Sequence, residues 1–172
     1  TAAPAPGLPG GLQGGLLGGL QGGLRGGLRG AGHALKAALP PAVRVAWRAR
    51  RSWRDGEAEL RLLPLLCSPQ AWSLDIGANN GVYAWHLARL SAGVTAFEPQ
   101  PGHAAFLARA FGRRVSVEQV ALSDRPGEAV LRVPTAACED GRATIEPQNT
   151  LGAASVRAYR VPCRRLDSYD LP

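Results

Sequence analysis

Residues 71–99, AWSLDIGANNGVYAWHLARLSAGVTAFEP, constrain this chain more than any other stretch. Trp72, Leu74 and Ile76 lie in a short apolar run suited to a parallel strand covered on both faces. Gly77 and Gly81 bracket a turn in which a missing Cβ lets the backbone bend sharply and come close to a ligand. Val82 to Leu90 has helical spacing, and Val94 to Phe97 reads as the next strand. Glu98 stands at its end, 21 residues beyond Gly77. In a doubly wound α/β sheet, an acidic residue about 20 positions past the first turn accepts hydrogen bonds from ribose hydroxyls. The stretch therefore predicts the nucleoside-binding half of such a sheet.

The turn also narrows the kind of nucleoside. A dinucleotide site has glycine at the first, third and sixth positions, so that a pyrophosphate can rest on the helix N-terminus. Here those positions are Gly77, Asn79 and Val82, and two of the three glycines are missing. The pattern present is Asp75-x-Gly77-x-Asn79-x-Gly81, with a carboxylate closing the first strand. That arrangement suits a ligand with an ammonium group near the turn and a ribose near Glu98, a description that S-adenosyl-L-methionine meets. A nicotinamide or flavin enzyme and a non-catalytic Rossmann-like domain are the competing readings.

Charge is divided unevenly. Residues 1–54 hold eight basic groups and no carboxylate, whereas residues 55–172 hold twelve basic and thirteen acidic groups. The part with the glycine turn is thus close to neutral and offers no phosphate-tracking patch, so no nucleic-acid partner is expected. Cys67, Cys138 and Cys163 share no CxxC spacing, and neither a zinc site nor a disulfide framework follows from them. No metal is expected. The sequence has no run of 18 apolar residues, so no transmembrane segment is expected, and the expected location is cytoplasmic.

Composition divides the chain into a leader (1–40), a basic helical lead-in (41–56) and a domain (57–172). Residues 10–29 are five tetrads of the GGLx type, with ten glycines that each weaken a helix by roughly 1 kcal/mol relative to alanine. The leader is expected to be flexible and dispensable. The chain holds no methionine and starts at Thr1, which reads as a fragment or a missing natural start. From Ala42 to Arg54, Val45, Ala49 and Trp53 share a helical line among arginines. Docking of this line on the domain is favoured over an anionic membrane surface. A second helix is expected over Glu57–Leu66, and a crossover helix over Pro101–Phe111 with Ala105, Leu107, Ala108 and Phe111 as packing residues. Strands are expected at 71–77, 93–98 and 115–122, then at Glu128–Val133 and Arg157–Val161. His86 falls on the line of Val82 and Arg89 and is expected to face solvent, while His103 and His33 offer no better candidate for a base.

Five blocks, in order and spacing, resemble the FkbM family of S-adenosylmethionine-dependent methyltransferases. They are Glu59-Leu60-Arg61-Leu62-Leu63-Pro64; Asp75-Ile76-Gly77-Ala78-Asn79-Asn80-Gly81; Ala96-Phe97-Glu98-Pro99; Val120-Ala121-Leu122-Ser123-Asp124 with Gly127-Glu128; and Val161-Pro162 through Arg165-Leu166-Asp167-Ser168-Tyr169. Together they cover about residues 57–172. The resemblance implies a Rossmann-like class I methyltransferase fold with a doubly wound, mostly parallel sheet. Family members continue into a strand resembling F-x-K-I-D-x-E-G, which this sequence does not contain, so the domain reads as truncated after its cofactor half.

The resemblance further implies O-methylation of a hydroxyl on a sugar or secondary metabolite. Glu98 is the expected ribose ligand. Gly77, Asn79 and Gly81 would shape the turn beside the methionine portion, and Asp75 would orient that loop or a water near the ammonium. The Leu122 backbone and Asp124 would lie where the third strand reaches the adenine. No catalytic base is assigned, and the 172 residues alone are expected not to turn over. The alternatives are a non-catalytic Rossmann-like binding protein and an inactive gene fragment.

Overall fold

The computed structural model describes residues 38–135, 140–149, 151–152 and 155–171. The chain divides into two units, Thr1–Leu39 and Pro40–Pro172, and the second holds every element described below. The expectations placed on the leader, on His33 and on Cys138 lie outside the described residues.

The unit is α/β. It starts with helix α1 (Pro41–Asp55), a 3-10 turn (Ala58–Leu62) and the one-turn helix α2 (Leu63–Leu66). Strand β1 (Trp72–Ile76), helix α3 (Val82–Leu90), strand β2 (Gly93–Phe97), helix α4 (Pro101–Phe111) and strand β3 (Ser116–Glu118) follow. These strands form a parallel sheet in the order β1-β2-β3, with Asp75 opposite Ala96 and Ile76 opposite Phe97. Two successive βαβ crossovers stepping in one direction place both helices on the same face. Accordingly Val94, Ala96, Val115, Leu87, Phe106 and Leu107 share one buried core with Val45 of α1 and with Leu60 and Leu63. The arrangement is compatible with a Rossmann-like sheet.

Helix α1 begins where the sequence punctuates it. Pro41 is its first residue, where a missing N–H costs nothing, and the amides of Val43 and Arg44 bond back to the Pro40 carbonyl. Val45 and Ala49 are buried against α3 and α4, so the apolar line docks as the spacing indicates.

Four expectations need correction. Glu57–Leu66 is not one helix, because Pro64 falls in it and the chain goes through a 3-10 turn before α2. In α4 the buried residues are Ala104, Phe106 and Leu107, whereas Ala105 and Ala108 face solvent. Strand β1 is not covered on both faces: among the described residues helices pack on one face only, and Trp72 and Ile76 on the other are 39% and 59% exposed. The strand expected at 115–122 is two strands. After Glu118 the chain breaks, and β4 (Ala121–Leu122) leaves the first sheet to pair with β6 (Val156–Arg164) in a second one.

That second sheet has the order β4-β6-β5, with β5 (Gly127–Pro134) antiparallel to β6. Alternation along the hairpin buries Leu131, Val133, Val161 and Cys163 with Ala121 in a separate small core. Both hairpin strands lie where their sequence alternation indicates and extend a few residues beyond it.

Candidate functional site

The ends of β1 and β2 are held together at the glycine turn. The amides of Gly77 and Ala78 both donate to the carbonyl of Phe97, at 2.9 and 3.1 Å. Gly77 (φ +79°), Asn79 (φ +45°) and Gly81 (φ +76°) adopt left-handed backbone, which glycine tolerates freely and asparagine better than most residues. The two glycines serve different ends. A Cβ on Gly81 would stand 2.6 Å from Leu107 and 3.0 Å from Phe111, so this glycine lets α4 approach the turn. A Cβ on Gly77 would meet no atom within 4 Å. The space beside Gly77 is open to a ligand.

Two buried carboxylates flank this turn. Glu98, 5% exposed, accepts the Asn79 amide on Oε2 at 2.6 Å and the Gln100 amide on Oε1 at 2.8 Å. It therefore fixes both the turn and the start of α4. An ionised carboxylate has about four acceptor positions, so each oxygen can take a further donor. Asp75 is 8% exposed, and its Oδ2 has no hydrogen-bond partner. Burial pushes the Asp75 carboxyl up to about 6; the Ala84 backbone bond pulls it down and the charge of Glu98 pushes it further up. Asn79 Oδ1 is a second buried acceptor without a partner.

Asp75 and Asn79, with Gly77 between them, border a cleft of about 290 Å³ that also touches Ser52, Glu57 and Tyr83; Glu98 lies behind the turn and does not line it. Tyr83 donates its hydroxyl to Glu57 Oε2 at 2.5 Å, and this bond pushes the phenol up to about 12. Arg48 reaches over from α1 to donate to Asn80 Oδ1 at 2.8 Å. Sequence reasoning missed Arg48, Ser52, Glu57 and Tyr83 as neighbours of the turn. Arg48 and Asn80 are 32 positions apart, and no periodicity connects a lead-in helix to a loop beyond the next strand.

Asp75, Gly77, Asn79, Gly81 and Glu98 thus gather at the carboxyl ends of β1 and β2, where open α/β sheets receive ligands. Of these, Asp75, Gly77 and Asn79 line the cleft; Leu122 and Asp124 do not. Leu122 pairs with Arg164 in the second sheet, and Asp124 lines a separate hollow of about 610 Å³ with Arg165, Asp167 and Tyr169. The two regions meet at Tyr169, whose ring stands edge-on to Phe97 at 5.1 Å. The Tyr169 hydroxyl is a third buried polar atom without a partner.

His86 faces inward, not to solvent. It is 7% exposed, packs between Trp53 and Trp85, and its Nε2 donates to the Ala49 carbonyl at 3.3 Å. Burial lowers its pKa, with the Ala49 bond acting in the opposite sense. The residue joins α3 to α1. His103 is half-buried in the first turn of α4. Among the described residues no three of His, Cys, Asp and Glu cluster as metal ligands, and no helix is long and apolar enough to cross a membrane. No family model matches the chain, and neither a curated protein nor a solved structure matches it.

Proposed function

We propose that this chain is an FkbM-like methyltransferase domain that binds S-adenosyl-L-methionine and serves O-methylation of a hydroxyl on a sugar or secondary metabolite. The observation that carries the reading is the conjunction of Glu98 beneath the Asn79 amide with an unpartnered Asp75 Oδ2 beside open space at Gly77. The residues fit the cofactor. Asp75 Oδ2 and Asn79 Oδ1 are buried acceptors that an ammonium can satisfy, and a carboxylate already held by two amides is rigid enough to select a ribose diol. A pyrophosphate, in contrast, would face two buried carboxylates at this turn.

When bound, the cofactor supplies a methyl group activated by its sulfonium. The chain's own contribution is alignment. Glu98 and the turn amides fix the nucleoside end, Asp75 neutralises the ammonium, and the left-handed turn keeps Cβ atoms clear of the ligand. A hydroxyl acceptor also needs a positioned base. A non-catalytic Rossmann-like binding protein, or an inactive fragment, is the second reading. It is favoured by the engagement of both Glu98 oxygens in backbone bonds, which gives that carboxylate a structural role without any ligand.

Calorimetry with S-adenosylmethionine, its demethylated product and NAD tests the proposal. Saturable binding of the first two and none of NAD is expected. Glu98→Ala should weaken that binding by about 1–3 kcal/mol, the usual penalty for unpairing buried hydrogen-bonding groups. NAD binding without a response to the methyl donor would overturn the reading. Cofactor binding without methyl transfer to any sugar or small-molecule hydroxyl would select the second one.

A further inference from the structure

We propose that the outer face of α1 and α3 is a docking surface for an anionic phospholipid membrane. Val45 and Ala49 are used in the core, which leaves Trp47, Arg50, Arg51 and Arg54 on the opposite side of the helix. With Trp53 and Trp85 they line an open groove of about 850 Å³. A second hollow of about 570 Å³ shares Trp85 and adds Arg89, Arg113 and Arg114. Six arginines therefore surround four tryptophans, and among the described residues Asp55 is the only carboxylate lining either hollow. Among the described residues none of Arg50, Arg51, Arg89, Arg113 and Arg114 is in a salt bridge. Arg89 is destabilised as a cation by burial and then by Arg114 and Arg50, so the cluster repels itself until an anion arrives.

Charge complementarity alone would admit a nucleic acid. The tryptophans favour a lipid headgroup layer. Base binding uses open aromatic faces. Trp85 already carries the Arg89 guanidinium at 3.4 Å and that of Arg50 at 5.7 Å, and Arg51 lies over Trp47 at 5.7 Å. Guanidiniums stacked in this way keep N–H groups for phosphate oxygens, Arg89 beside its bond to the Trp85 carbonyl, while the exposed Trp47 indole enters the interfacial layer, where Trp is at home. Trp47 (46% exposed) and Val43 (48% exposed) supply apolar area on the same helix. In sequence, the chain ahead of α1 adds Arg25, Arg29 and Lys36 and no carboxylate.

Vesicle flotation of the full chain tests this, using phosphatidylcholine alone and phosphatidylcholine with 30% phosphatidylglycerol (roughly physiological anionic content). Binding to the anionic vesicles only, falling as salt rises, is expected. Arg50→Gln/Arg51→Gln/Arg89→Gln should reduce it by roughly fivefold per arginine. Arg125→Gln/Arg157→Gln/Arg160→Gln, which removes the same charge from β6 and the turn before β5, should change it little. Circular dichroism of each variant checks that the fold is kept. Trp47→Ala alone should weaken binding in anionic vesicles without altering its salt dependence. Three results would overturn the proposal: no binding of the parent, equal loss in both arginine triples, or loss confined to Arg25→Gln/Arg29→Gln/Lys36→Gln. Preferential binding of single-stranded RNA over anionic vesicles would overturn it in favour of a nucleic-acid surface.

Discussion

At the scale of single residues, Asp75 reports on both stability and ligand. Its carboxyl titrates at about 6 in the folded protein against an ordinary 3.8, so the native state holds the proton more tightly than the unfolded chain. That stabilisation is full below pH 3.8 and is lost as pH rises through about 6. Asp75→Asn should flatten the dependence and, above pH 6, raise stability by up to about 3 kcal/mol, read from urea melts between pH 4 and 7. Ligand binding should show the reverse sign, because only the ionised carboxyl attracts an ammonium. Affinity for S-adenosylmethionine should fall as pH drops through 6, and an unchanged affinity would detach Asp75 from the ligand. The two glycines make a second contrast. Gly81→Ala forces a Cβ into Leu107 and should destabilise the fold by roughly 1–3 kcal/mol beyond the left-handed strain. Gly77→Ala carries only the strain, about 1–2 kcal/mol, so its loss of cofactor binding should exceed its loss of stability.

At the scale of elements, α1 is part of the domain's packing because α3 presents His86 to it. The ring fills the space between Trp53 and Trp85 and reaches the Ala49 carbonyl. His86→Ala should therefore cost roughly 2–4 kcal/mol in a chemical melt, the sum of a core truncation and an orphaned carbonyl. A change under 0.5 kcal/mol, as ordinary surface substitutions give, would mean the face is solvated after all. The helical line of Val82 and Arg89 marks His86 as exposed only if α3 has solvent on that side. It has α1 there, and an isolated reading of α3 contains no sign of it.

For the whole molecule, the edge of the parallel sheet matters most. Among the described residues β1 pairs on one side only, with β2, and Ile76 is 59% exposed beside its free edge. A flat, apolar strand edge is a template for pairing with another chain. Light scattering should show concentration-dependent self-association, and Ile76→Lys should reduce it without lowering the melting temperature. A parent that stays monodisperse at high concentration would show that this edge is protected. The hairpin of β5 and β6 forms its own small core, so amide exchange should find it opening independently of the first sheet.

The sequence by itself determined the elements and the turn. Periodicity, Pro41, Pro101 and the glycines of residues 77–81 placed α1, α3, α4, β1 and β2 almost to the residue, since these signals are local. It also brought Asp75, Gly77, Asn79, Gly81 and Glu98 to one end of the sheet, because a βαβ unit returns its second strand beside the first. Only the tertiary structure decided the rest. Ala121–Leu122 continues an apolar run that looks like the third strand, yet β6, some 40 residues later, takes it into another sheet. Arg48 on Asn80, Glu57 on Tyr83 and Tyr169 on Phe97 are likewise contacts between distant segments. Local pattern records which face of an element is apolar; it does not record which other element covers that face.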